Sequence, residues 1–242
     1  MSRRRADVML VERGLFASRS RAQEAIAAGL VRADGEPVRK ASEMLPEGAA
    51  MFAQEPHPYV SRGGVKLVAA LDGFGIDPNG LVCLDIGAST GGFTDVLLAR
   101  GAARVYAVDV GHGQLHPRIL GNRRVVVLEG TDARALDRTL VPEPIDILVA
   151  DVSFISLRLV LPAALALLAP AAAMAVLIKP QFEAGRAHVR KGIVRDEAMR
   201  RTVCAGITDF VAALGFEVLG VIPSPIEGGD GNREFLLGAR RG

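Results

Sequence analysis

The sequence predicts an α/β protein in two parts: a mostly parallel, seven-stranded sheet wrapped on both faces by helices, preceded by a small α/β module of two helices and a hairpin. Three observations predict it. From residue 81 onward, seven short apolar runs alternate with helical patterns, as consecutive βαβ units do. The stretch from Leu81 to Ala99 starts as an apolar run and turns at Gly87, Gly91 and Gly92. It continues as Phe93, Val96 and Leu97 at helical spacing, giving strand, glycine turn and helix. Ahead of this, residues 1–55 carry two helical patterns, a hairpin signal and an arginine-rich start.

Taken in order, Arg5 to Phe16 places apolar residues at helical intervals and stops at Gly14, a residue of helix-end type. A second helix follows, capped by Ser18 or Ser20, the latter forming a possible capping box with Gln23, and closed by Gly29. Asp34-Gly35 between two short apolar stretches signals a tight hairpin. Residues 1–21 hold six arginines against two acids, a basic end that favours a polyanion. Residues 56–61 read as a linker, stiffened by Pro56 and Pro58 around a lone His57, and residues 62–242 as the second domain. There the first helix has the apolar face Val65, Val68, Leu71, with Lys66 off that face and expected in solvent.

Strands are expected near residues 81–86, 104–109, 124–128, 145–151, 172–178, 216–222 and 233–239, with a long helix from Asp196 to Leu214. A ligand then lies beyond the carboxyl ends of the strands. Those ends carry Gly87, Asp109, the Thr131-Asp132-Ala133 turn, Asp151 and Lys179. Glycines allow the backbone to approach a ligand, and an acid at the end of the second strand suits ribose hydroxyls. The spacing Gly87-x-Ser89-x-Gly91-Gly92 departs from the dinucleotide pattern. Asp132 can accept from an adenine amino group. A lysine closing an apolar strand is desolvated on one side, and a neighbouring carboxylate fixes its direction, so Asp151 and Lys179 can hold and deprotonate a hydroxyl.

Leu159 to Ile178 is 20 residues without a charge, long enough for a membrane span. Pro162 and Pro170 argue instead for a helix near 157–168, a proline turn and a buried strand at 172–178. The two cysteines, Cys83 and Cys204, have no disulfide or zinc spacing and read as small core residues in a reducing cytoplasm. No metal-ligand pattern and no signal peptide is expected.

Several motifs resemble known families. Asp85 to Thr94 followed by Asp109 resembles the S-adenosylmethionine site of class I methyltransferases. The resemblance implies a Rossmann-like fold with the cofactor held by Asp85, Gly87, Ala88, Ser89, Thr90, Gly91, Gly92, Phe93, Thr94, Asp109, Val110, Asp132, Ala133 and Asp151. Gly14-Leu15, Ser18-Arg19, Ala22, Gly29, Val31, Asp34-Gly35, Val38 and Lys40 resemble the S4 RNA-binding domain. That likeness assigns RNA contacts to Arg19 and Arg21, with Arg3, Arg4, Arg5 and Lys40 as lesser candidates; Arg62, at the start of the second domain, is a separate candidate. In chain order, Lys66, Asp151, Lys179 and Glu234 resemble the Lys-Asp-Lys-Glu tetrad of RrmJ/FtsJ-type ribose 2′-O-methyltransferases. With Ser61-Arg-Gly-Gly, Lys179-Pro-Gln-Phe-Glu183 and Lys191-Gly192 added, the whole chain resembles the TlyA family, named both as haemolysins and as ribosomal RNA methyltransferases. The resemblance implies methyl transfer from S-adenosylmethionine to a ribose 2′-hydroxyl of 16S or 23S ribosomal RNA, or both, within ribosomal subunits in the cytoplasm. A membrane-active haemolysin, or transfer to a non-RNA acceptor, are the alternatives.

Overall fold

A computed structural model describes residues 2–228 and 231–242. The chain divides into two compact units, Met1–Pro58 and Tyr59–Gly242. In the first, β1 (Arg3–Arg5) leads into α1 (Ala6–Glu12) and α2 (Arg19–Ala27). Four short strands follow: β2 (Val31–Ala33), β3 (Glu36–Pro37), β4 (Met44–Pro46) and β5 (Met51–Ala53). Ser18, not Ser20, caps α2, its Oγ accepting from the Arg21 N–H. Asp34 and Gly35 turn the β2–β3 hairpin with φ of 51° and 86°, the two positive values that this tight turn requires. β1 pairs with β4, and β2 lies between β3 and β5, all antiparallel. Met9, Leu10, Phe16, Ile26, Val31 and Leu45 fill a core of their own.

In the second unit the elements are α3 (Gly63–Phe74), β6 (Val82–Ile86), α4 (Gly92–Ala99), β7 (Arg104–Asp109), α5 (Pro117–Leu120) and β8 (Val125–Glu129). After them come β9 (Ile145–Ala150), α6 (Leu157–Leu165), β10 (Leu168–Ile178), α7 (Pro180–Glu183), α8 (Glu197–Ala213), β11 (Glu217–Pro223) and β12 (Phe235–Arg241). They build one seven-stranded sheet in the order β11-β12-β10-β9-β6-β7-β8. β6 to β10 run parallel, and β12 is antiparallel to both its neighbours.

Alternate strand residues enter opposite layers, because successive side chains point to opposite faces. Leu84, Ile86, Tyr106, Val108, Met174 and Val176 pack with Leu157, Leu161, Val203 and Ile207 of α6 and α8 on one side. Cys83, Val105, Ala107, Ala175 and Leu177 pack with Leu67, Leu71, Val96 and Leu97 of α3 and α4 on the other. Burial on both faces makes the central strands near-continuous apolar runs. Burial also pushes the Cys83 thiol up to about 12.

The uncharged stretch is divided, as expected, between a helix, α6, and a strand, β10, and among the described residues no helix is long and apolar enough to cross a membrane. Two other expectations change. Pro170 makes no turn; it lies in the irregular start of β10, where the register against β9 shifts between Leu168 and Ala173 and a missing N–H is tolerated. His57 is no free linker residue: it is buried, with the Arg21 Nη1 2.9 Å from its Nδ1 and its carbonyl accepting from Arg21 Nη2 at 2.5 Å.

Candidate active site at the strand ends

The chain leaves β6 for β7 on one side and returns to β9 on the other, so a crevice opens past the carboxyl ends of β6 and β9. Gly87 sits there with φ 82°, and a Cβ on it would lie 2.5 Å from the Asp151 carbonyl oxygen. Only glycine lets the two strand ends approach so closely. Gly91, φ 94°, precedes α4, and a Cβ on Gly92 would collide with the Ser61 hydroxyl. Asp109 ties two loops together: Oδ2 accepts from the Ser89 N–H at 2.7 Å and Oδ1 from the Gly111 N–H at 2.8 Å.

Next to this turn is a cavity of about 340 Å³, a size suited to a small organic ligand. Gly87, Ser89, Asp109, Val110, Asp132, Ala133 and Asp151 line it, as do Gln114, Val152, Ser153, Phe154 and Ile155. The remaining residues singled out for cofactor contact, Asp85, Ala88, Thr90, Gly91, Gly92, Phe93 and Thr94, do not line it. They build the turn beneath: Thr94 Oγ1 donates to Asp85 Oδ2 at 2.6 Å, and the Thr90 carbonyl accepts from the His116 N–H at 3.1 Å. Asp85 is fully buried, which raises its carboxyl to about 7 against the lowering effect of the Thr94 bond, and its Oδ1 has no hydrogen-bond partner among the described residues. Asp132 already has a cation: Arg134 lies 2.5 Å away, and its side-chain hydrogen bond lowers the carboxyl to about 2.

Two lysine–carboxylate pairs stand at the neighbouring strand ends. Lys179 Nζ is 2.6 Å from Asp151 Oδ1 and donates to Ser153 Oγ at 2.8 Å. Lys66 Nζ is 2.5 Å from Glu234 Oε2. The register Ile178↔Phe235 places Lys179 and Glu234 side by side at the ends of β10 and β12, and Asp151 follows Ala150 of β9, which pairs with Val176 of β10. Lys66 departs from its expected place in solvent. It is buried with Gly64, Leu67, Ala70 and Leu71, while Val65 and Val68 are only half-buried. Lys66 is one turn before Ala70, so both lie on the inward stripe of α3.

The arginines of the first unit are mostly engaged within it. Arg5 and Arg19 share the buried Asp7 at 3.0 and 2.8 Å, Arg4 bridges Glu12 and Glu47, and Arg21 reaches Glu55 at 2.5 Å. Arg3 donates to the Met44 carbonyl. Lys40 and Arg62 are exposed, the latter at the start of α3.

Further residues shape the site without having been singled out individually as candidates. Phe154 is 91% exposed, has φ 65°, and lies with its ring centroid 5.1 Å from that of Phe182. Glu183 staples the two strand-end loops, accepting from Ser156 Oγ at 2.5 Å and the Leu157 N–H at 2.8 Å; burial raises its carboxyl. Among the described residues no three His, Cys, Asp or Glu side chains are grouped to hold a metal.

Comparison with known proteins agrees with this arrangement. Residues 59–241 match the FtsJ-like methyltransferase family, and residues 4–50 match the S4 domain. The chain is 45% identical over 244 residues to a 16S/23S rRNA (cytidine-2′-O)-methyltransferase TlyA of Mycobacterium tuberculosis, covering 99% of this chain and 91% of that protein. It is 39% identical to Hemolysin A of Brachyspira hyodysenteriae, covering 96% of this chain and 98% of that one. A solved hemolysin-named protein from Streptococcus thermophilus superimposes with a TM-score of 0.78 at 41% identity, covering 100% of this chain and 89% of that one.

Proposed function

The chain belongs to the TlyA family, an S4 domain joined to an FtsJ-like methyltransferase domain, and from that premise we propose that it methylates a ribose 2′-hydroxyl of ribosomal RNA. The observation that carries the reading is the position of Asp151, which lines the cavity and also pairs with Lys179 at the end of the next strand. The residues present fit S-adenosylmethionine: a glycine turn with no room for a Cβ, a carboxylate at the second strand end and a cavity of suitable volume. Asp109 would hold ribose hydroxyls, the Thr131–Ala133 edge would flank the adenine, and Gly87 would leave the backbone open to the remainder. The bound cofactor supplies a methyl group on a good leaving group, so positioning accounts for most of the acceleration.

In this reading the deprotonated amine of Lys179 accepts the 2′-hydroxyl proton as the oxygen takes the methyl group, Asp151 and Ser153 orient the lysine, and Asp151 balances the ammonium that results. Lys66 and Glu234 fix the adjoining wall. The exposed Phe154 ring, with Phe182 behind it, offers a nucleobase an apolar face at the cavity mouth. Residues 1–55 serve as the RNA-binding domain, 56–61 as linker and 62–242 as the catalytic domain. The RNA contacts fall to Arg19, Arg21, Arg3, Arg4, Arg5, Lys40 and Arg62, and the place of action is the cytoplasm, where ribosomal subunits are found.

The test is methyl transfer from labelled S-adenosylmethionine to small subunits, large subunits and free ribosomal RNA. Alkali-resistant ribose labelling by wild type, absent in Lys179→Ala, is the expected result. Cofactor binding without RNA labelling would sink the assignment and direct the search to another acceptor.

A further inference from the structure

Between Glu183 and Asp196 the chain carries Arg186, His188, Arg190, Lys191 and Arg195 and no acid. This segment leaves the site directly: it begins two residues after α7, which itself starts next to Lys179. Its tip is a two-residue hairpin. Arg190 and Ile193 exchange both backbone hydrogen bonds at 3.0 Å, with Lys191 and Gly192 at φ 50° and 77° between them, the conformation of the tightest hairpin turn. The buried Asn232 pins this hairpin, donating to the Gly192 carbonyl at 2.8 Å and accepting from the Val194 N–H at 3.3 Å. Asn232 stands two residues before Glu234. The basic segment is thus fastened at one end near Lys179 and at the other near Glu234.

Its near side faces a second cavity of about 800 Å³, lined by Gly185 and Val189 of this segment and by Phe154, Ile155, Phe182 and Arg134. Phe154 and Ile155 also line the first cavity, so the two open into the same region. The side chains of Arg190, Lys191 and Arg195 are exposed and make no ion pair among the described residues. Arg4, Arg5, Arg19 and Arg21, by contrast, each have a carboxylate partner. Unpaired cations on a pinned turn keep their full attraction for phosphate and lose little freedom on binding. Ile193 and Val194 turn inward, which leaves the tip without an apolar group to enter a bilayer and favours a nucleic-acid backbone.

Building on the proposed function, we propose that the hairpin bearing Arg190, Lys191 and Arg195 is a second RNA-docking surface, which takes the phosphates flanking the nucleotide presented to Lys179. The phosphate contacts position the RNA without reading its sequence. The full-length variant Arg190→Gln/Lys191→Asn/Arg195→Gln removes the three charges while keeping polar side chains, and asparagine tolerates the positive φ at position 191. Binding of free ribosomal RNA and of both subunits is measured from low to moderate salt, alongside methyl transfer and cofactor affinity.

The expected result is a slope of log affinity against log salt shallower by about 2 to 3, from roughly 0.9 for each phosphate that is no longer neutralised. The KM for RNA should rise tenfold or more while cofactor affinity stays within twofold. Arg201→Gln, an exposed arginine on α8, should leave the slope unchanged. An unchanged slope and KM in the triple variant would overturn the proposal, as would an equal loss in Arg201→Gln. Loss of binding to phosphatidylserine vesicles alone would overturn it in favour of a lipid surface. Hairpin-dependent RNA binding without methyl transfer by wild type would sustain the docking surface while removing the enzymatic reading beneath it.

Discussion

In the unit Met1–Pro58 the buried Asp7 is shared by Arg5 and Arg19, in a fold whose strands are only two or three residues long. In the unit Tyr59–Gly242 the charges of Lys66, Asp151, Lys179 and Glu234 stand past the ends of strands held by two apolar layers. A small core buries too little to hold itself by apolar contact alone, so charge-assisted hydrogen bonds join in the fold. The larger sheet leaves its strand-end charges available for chemistry. The contrast predicts that charge substitutions lower stability in the first unit and activity in the second.

Lys179→Ala should sharpen it most: a drop in kcat of roughly 10² to 10⁴, the range for a missing acid–base group, with cofactor affinity within a few-fold by calorimetry and an unchanged melting temperature. An equal loss of folded protein would break the contrast. Glu234→Ala tests its boundary, because Lys66 would be left charged and buried. That should cost about 3 kcal/mol or more in urea unfolding, whereas Lys66→Met/Glu234→Leu should recover most of the stability and none of the activity.

Acid should act on the two units with opposite sign. The hydrogen bonds from Arg5 to Asp7, with those from Arg19 and Gln23, hold its carboxyl well below the usual range despite burial. Its contribution is complete above the unfolded value near 4 and is lost as pH falls further. Asp85, raised to about 7 by burial, contributes fully below about pH 4, and that contribution is lost as pH rises through 7. Hydrogen exchange resolved by segment from pH 3 to 8 should therefore show Asp7→Asn weakening the first unit above pH 4, and Asp85→Asn flattening the decline of the second between 4 and 7. Identical profiles in both variants would erase the distinction. The smallest effect is expected for Ser18→Ala, about 1 kcal/mol from removing the cap of α2, read as faster exchange in that helix with methyl transfer unaltered.

The seven strands were legible as short apolar runs, most clearly the central ones, which are buried on both faces, and the residues that end those runs, Gly87, Asp109, Asp151 and Lys179, could be read off directly. β4 and β5 were not, since three residues are too few to display alternation. The exposure of Phe154 gave no signal, because it follows from a backbone with φ 65° that residue type does not announce. Nor could the pairing of the first-unit arginines be read: a charge run shows sign and count, not whether Glu47 or Glu55 returns to meet it.

By itself the sequence determined the order of elements, the glycine turn and which acid and lysine close which strand, because these follow from local periodicity and chain connectivity. The tertiary structure alone decided what those charges meet. Lys66 finds Glu234 across 168 residues because the inward stripe of α3 is fixed by packing against the sheet. Asn232 meets the Lys191-Gly192 turn because β12 returns antiparallel to β10. Long-range partners depend on how strands are ordered in a sheet, and no local pattern encodes that order.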